Sequence, residues 1–386
     1  MTPAAGGAVA GRTRRPPWGR PPSATTAAGV AGAALYAAVV FGPVALLGLR
    51  ALSSARDPSA AAVAWPGPGR LELLAKSGAL AMAVAVAGTV VGMTVAAALW
   101  RRRGTAGHLR WLVLALAPVP AYVHALAWSE AAARLGRVAT VQALPAPAFS
   151  GPVAAWWVQV MATLPVAIAL SLLALETVPP DLIDAARTQS SDGRVLLRVA
   201  APLAAPMAVA GAGLLFLLSL LDYSIPALFQ VPVYSLALFA DYSASHDAAR
   251  AFLYALPMLV VAGAVVVGSQ AGVRRAGVIP NRAGRPASPL ALPWWLRLAQ
   301  MAALAVAAAQ ILVPVVLLSA AVGSVSRLAA PARAAAAEIG LSFLIAVAAA
   351  AVAVPLALVP AQRLARSRCP PQWWLAVTIP LALPAP

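Results

Sequence analysis

Long apolar runs, separated by short polar and arginine-rich segments, set the plan of this chain. They cover residues 29–52, 78–100, 111–128, 156–175, 207–221, 252–273, 298–322 and 341–361, and a further run opens at Trp373. A helix needs about 20 apolar residues to cross a bilayer, so nine membrane-spanning helices are expected. Backbone groups at membrane depth have no water to bond, which places the polar segments in solvent-exposed loops. Trp100, Trp111, Trp128 and the pairs Trp156–Trp157, Trp294–Trp295 and Trp373–Trp374 fall near run ends. There an amphipathic ring anchors at headgroup level, and anchoring is their expected role. Residues 1–28 form a Pro/Gly/Ala/Thr-rich tail with Arg12, Arg14, Arg15 and Arg20, and its composition predicts disorder. The apolar run that follows is too long for a signal-peptide core and has no convincing cleavage site, so it reads as an uncleaved first span.

One polar stretch between the fourth and fifth runs, residues 178–202, has structure of its own. Pro179 and Pro180 end the incoming helix, and Asp181 is placed to cap a new one. Leu182, Ile183, Ala185 and Ala186 give that short helix an apolar side. Residues 190–193 read as a turn, with Asp192 placed to cap a second helix that presents Val195, Leu196 and Val199 and ends at Pro202. Two short helices on the aqueous side are suited to docking a partner.

Composition places the chain in a class. Hydrophobic residues make up 62% and charged residues 10%, against about 25% charged in globular proteins. Mean hydropathy is +0.84. The net charge of +17 comes from arginines beside apolar runs, not from a compact basic domain. That pattern fits the positive-inside rule and attraction to anionic lipid, and it excludes nucleic acid as a partner. With the N-terminus inside, nineteen arginines fall in cytoplasmic segments and seven in external ones. The 178–202 loop is then cytoplasmic. Richness in Ala, Gly, Pro and Arg points to a GC-rich bacterial genome.

Several chemistries have no candidate. Cys369 is the single cysteine, and His108, His124 and His246 are scattered, so neither a disulfide framework nor a Cys/His metal site is expected. No phosphate-cradling glycine loop occurs, and no cofactor is expected. Gly211-Ala-Gly213 lies in an apolar run, where small residues let helices approach. Ionisable residues are scarce in the runs, and paired carboxylates are missing there. Both facts argue against a membrane-embedded enzyme and against the main rival, an ion-coupled secondary transporter.

The chain also repeats itself. Residues 78–118 align without gaps on 340–380 at an offset of 262, matching Gly78 with Gly340, Arg101 with Arg363, Trp111 with Trp373 and Pro118 with Pro380. Pro43 and Pro314 correspond at a slightly larger offset. The expectation is a six-helix unit over 29–273, a cytoplasmic linker over 274–293 and an incomplete second unit over 294–386.

The 178–202 loop resembles the EAA loop of type I ABC importer permeases. Asp184-Ala185-Ala186-Arg187 matches the start of that pattern, with Asp in place of Glu, and Arg194-Val-Leu-Leu-Arg198-Val-Ala-Ala-Pro202 matches its end. Ser190 stands where the family has a glycine, and the loop is one residue shorter, with Gly193 expected to serve as the turn. The resemblance implies an all-α integral membrane fold, a six-helix type I ABC permease unit plus the first three helices of a second. It implies a coupling loop over 179–205 seated on a dimer of cytoplasmic ABC ATPase subunits, which bind the ATP. It also implies delivery of the solute by an extracytoplasmic binding protein and residence in the bacterial cytoplasmic membrane. Chains fused as two units resemble the ferric-iron and thiamine branch, and a truncated form of such a permease is the expectation. Ferric iron is the expected solute, with thiamine, polyamine or phosphonate as alternatives. Asp222, Tyr223, Asp241 and Tyr242 lie in a stretch similar to the outward loop of the ferric-iron type, and are the candidate outward-face contacts.

Overall fold

The computed structural model describes residues 23–54, 63–100, 119–141, 149–276, 290–323, 327 and 329–364. In chain order the helices are α1 (Ser23–Ser54), α2 (Pro68–Leu99), α3 (Ala121–Val141), α4 (Gly151–Glu176) and α5 (Pro180–Arg187). Next come α6 (Asp192–Leu221), α7 (Ser224–Leu228), α8 (Tyr234–Ser245) and α9 (Ala248–Ala276). The last are α10 (Trp294–Val322), α11 (Ala329–Ala334) and α12 (Ala336–Leu364). No strand occurs among the described residues. Among the described residues six helices are long and apolar enough to cross a membrane: α2, α4, α6, the 248–269 part of α9, α10 and the 336–355 part of α12. The chain is an all-helical, multi-pass membrane protein.

Sequence punctuation sets several helix ends. Pro68 opens α2 in the first turn, where its missing N–H costs nothing, and Gly151-Pro152 opens α4 in the same way. At the end of α4, Thr177 bonds back to the helix, and Pro179 and Pro180 stop it.

Packing centres on α2, α4, α6 and α9. Val95, Leu164, Ile168, Leu215, Leu217, Met258 and Val266 are buried together. Lipid is as apolar as these side chains, so close contact of surfaces rather than exclusion from water holds such helices together. At Gly92 of α2 two helix backbones come close together: a methyl group there would stand 2.8 Å from the backbone of Ala167 on α4. Gly211 faces Leu170, and Gly213 faces Val265 and Ser269, in keeping with the packing role expected for that pair.

α10 packs into the core formed by the preceding helices. Its buried face is Gln300, Ala303, Ala307, Gln310 and Pro314, and Ala303 and Ala307 belong to the core of α2, α4, α6 and α9. α10 packs on α2, α3 and α4, while α1 packs on α9 and α12. α1 and α10 each carry an internal proline, Pro43 and Pro314, 20 residues after the first residue of the helix. The described 18-residue apolar window of α12 is fully exposed within this chain.

Four boundaries differ from the sequence expectation. Helix α1 begins at Ser23, inside the tail expected over 1–28. The third helix, Ala121–Val141, runs past the end expected at 128 and is not among the six apolar enough to cross a membrane, while residues 111–118 lie outside the described residues. The fifth span and the second short helix of the 178–202 loop are one continuous helix, Asp192–Leu221. Pro202 therefore lies inside α6 and does not end a helix. A π turn at Leu196–Ala200, with Ala201 N–H bonded to Leu196 O, widens the helix just before Pro202 and gives the proline ring room against the preceding turn. The last difference is in the linker, where residues 290–293 are packed against the loop. Arg101, Arg102, Arg103, Arg110, Cys369, the ninth span from Trp373 and linker residues 277–289 lie outside the described residues.

Candidate functional site

The loop between α4 and α6 is a short helix, a turn and a helix start. Pro179 is the N-cap of α5 and Pro180 its first residue, so Asp181 sits in the first turn, where the helix dipole favours a carboxylate, and makes no capping bond. Ile183 is fully buried, whereas Leu182 is 49% exposed. Ala186 is half-buried against the cluster of Ile183, Val195, Leu196 and Ala200. The apolar side of α5 is thus narrower than expected, with Ala185 and Leu182 facing out.

The turn is closed by charge. Arg187, in the last turn of α5, donates from Nε to Asp192 Oδ1 at 3.0 Å and from Nη2 to Asp192 Oδ2 at 3.2 Å. Each partner also faces the favourable end of its own helix dipole, which adds to a bidentate pair of this kind. Asp192 is the first residue of α6; Ser191 is the N-cap, and no side chain caps it. Ser190 N–H bonds Ala186 O at 3.0 Å. Among the described residues only Gln230, His246, Gly151 and Gly323 have positive φ. The turn therefore needs no glycine, and Ser190 is unstrained where the resembling family has one. Gly193 is not the turn. It is buried in the first turn of α6, with the Pro293 ring where a side chain would be.

Of the loop residues singled out from the sequence, Asp184, Ala185, Arg194, Arg198 and Pro202 are exposed. Arg194 Nε donates to Ser191 Oγ at 3.3 Å. With Leu182 and Leu197 they make a mixed apolar and charged surface. Arg187 and Gly193 are instead used inside the loop.

The four outward candidates are not equivalent. Asp222 is tied into the bundle. Its Oδ2 accepts from Gln159 Nε2 at 3.0 Å, and its Oδ1 accepts from the Ser224 N–H at 2.9 Å and hydroxyl at 2.6 Å. Ser219 in turn donates to Gln159 Oε1 at 2.8 Å. Asp241 pairs with Arg250 at 2.9 Å. Tyr223 stacks on Phe239, with centroids 4.9 Å apart. Tyr242 is exposed. Nearby, Tyr234 is fully buried, takes its N–H to Ser77 Oγ and donates its hydroxyl to Tyr254 O. Burial pushes its phenol up to about 12.

Polar residues inside the apolar runs are more tightly built into the bundle than their sequence context implies. His124 of α3 is 1% exposed and lies 3.3 Å from Gln310 of α10 through Nε2. Its Nδ1, the indole nitrogens of Trp128 and Trp156, and Gln300 Nε2 are buried without a protein partner. Trp128 packs edge-on against Trp157 at 5.3 Å, so these rings join helices, whereas Trp294, 76% exposed, suits an interfacial anchor. A lone Gln or His in an apolar run was the available signal. Among the described residues no cluster of His, Cys, Asp and Glu is arranged to hold a metal.

No protein-family model matches the chain, and no curated protein matches it.

Proposed function

We propose that the chain is the transmembrane permease subunit of an ATP-driven ABC importer in a bacterial cytoplasmic membrane. It passes a solute handed over by an extracytoplasmic binding protein. The observation that carries the reading is the 180–198 loop. It is a pre-formed helix–turn–helix start between two apolar helices, closed by Arg187–Asp192, with Leu182, Asp184, Ala185, Arg194 and Arg198 turned outward. A docking surface of this kind suits a chain with no phosphate-binding loop of its own. Movement of the loop by an ATPase pair would rock the helices fixed to it and alternate access across the membrane. Ferric iron is the first solute to test, then thiamine, polyamine and phosphonate.

Leu182→Glu is the decisive variant, because Leu182 is exposed and its replacement leaves the buried side of α5 intact. The transporter is purified from its native host with its associated subunits. Loss of the ATPase subunit and of MgATP hydrolysis in Leu182→Glu is the expected result. Retention of both would refute the coupling role.

One observation favours a second reading, an ion-coupled secondary transporter. His124 is an ionisable group buried between α3 and α10, the kind of residue such transporters use. Uptake that collapses with the proton gradient at constant ATP would select that reading.

A further inference from the structure

The residues just before α10 close onto the 180–193 loop, 99 positions earlier in the chain. Ala291 N–H donates to Asp192 Oδ2, the same carboxylate that takes the Arg187 guanidinium. The Pro293 ring lies on the bare backbone of Gly193, where a methyl group would meet Pro293 Cδ at 2.8 Å. Leu292 is buried among Ile183, Val195 and Leu196, with Leu290 and Leu296 at the edge. Arg297 turns back and donates to Leu292 O at 2.7 Å. Pro293 is itself the N-cap of α10.

These contacts share one logic. Gly193 has a negative φ, so its missing side chain answers a need for space and not for backbone freedom. Asp192 is the common acceptor for both halves of the join, α5 through Arg187 and the linker through Ala291. Leu292 adds an apolar plug between them. We infer that residues 290–293 strap the 180–193 loop to the head of α10, so that loop and helix move as one body.

Asp192 is then a positioning residue that acts through Arg187 and Ala291. α10, at 29 residues, is about 43 Å long, and carries Gln310 to His124 in its C-terminal half. If the loop is the partner contact proposed above, the strap delivers a push on the loop directly into α10. The strap itself does not depend on that reading.

The test uses the full chain, purified in mild detergent with Cys369→Ser as background and without any ATPase subunit. Nitroxides at Gln189→Cys and Leu298→Cys report the distance from loop to helix. A single narrow distance distribution is expected, and it should broaden when Gly193→Val or Asp192→Ala is added. In parallel, the Leu292→Cys thiol should react with a hydrophilic maleimide slowly. It should react about tenfold faster in those two backgrounds, the change that loss of one charged hydrogen bond brings. A Ser235→Cys thiol, buried elsewhere, should stay slow throughout and so certify the fold. If Gly193→Val exposes that control, Asp192→Ala decides alone. A distribution already broad in the unmodified loop, or rates and widths unmoved by Asp192→Ala, overturns the strap. Leu182→Glu touches the outer face only, so failure of the coupling reading and failure of the strap give different results.

Discussion

The α2–α4 contact at Gly92 fixes the frame from which the loop hangs, and adding one methyl group there tests it. In Gly92→Ala the new carbon would meet the Ala167 carbonyl carbon and oxygen at 2.8 Å and the Ala167 side chain at 3.1 Å. Carbon atoms rest at about 3.5–4.0 Å, so the two helices must separate by roughly 0.7 Å, and a gap of that size removes a quarter to a half of each neighbouring dispersion contact. The obstacle is helix backbone, which cannot rotate away as a side-chain tip would. Overpacking of this kind costs about 1–3 kcal/mol. Alanine also favours a helix interior over glycine by about 0.5–1 kcal/mol, which must be separated from the packing cost. Gly78 lies on the same helix with nothing within 4 Å of an added methyl group, so Gly78→Ala carries the propensity gain alone. Gly92→Ala should therefore be less stable than Gly78→Ala by about 1–3 kcal/mol. Unfolding by SDS from mild-detergent micelles measures the difference, followed by total tryptophan emission, to which the Trp128–Trp157 pair across α3 and α4 contributes. Equal midpoints for the two variants would show that α2 and α4 do not meet at Gly92.

Two other perturbations follow from particular contacts. Gln159→Leu removes the amide that joins Ser219 to the Asp222 carboxylate; a loss of about 1–3 kcal/mol is expected in the same titration, and an unchanged midpoint would remove Asp222 from the bundle interior. For orientation, Ser190→Cys in a Cys369→Ser background should label with an impermeant reagent only once the cell is opened. Ser243→Cys, at an exposed position near the end of α8, should label in intact spheroplasts, and the opposite pattern would invert the topology.

The membrane class was legible in the sequence because apolar length is a local property. A run of the right length crosses the bilayer whatever it packs on, and α2, α4, α9, α10 and α12 appear where runs were seen. So was the loop, because prolines and a dense polar segment between apolar runs leave a backbone few alternatives. The order of exposure within the loop was less legible. Leu182 and Ile183 look alike in sequence, yet Ile183 is buried and Leu182 is half in solvent, since only the position of α6 decides which side of α5 is covered.

Tertiary structure alone decided the rest, because it joins residues that sequence keeps far apart. Pro202 looked like a helix end, but a π turn one step upstream admits it, and the packing of α6 on α4 and α9 keeps the helix running. Gly193 looked like a turn residue and is instead the floor under Pro293, a role set by a segment on the far side of α9. Asp222 looked like an outward carboxylate, and Gln159, 63 positions away, holds it. His124 looked incidental until α10 brought Gln310 against it. In each case the local signal gave the type of residue, and a distant helix supplied the neighbour that fixed its role.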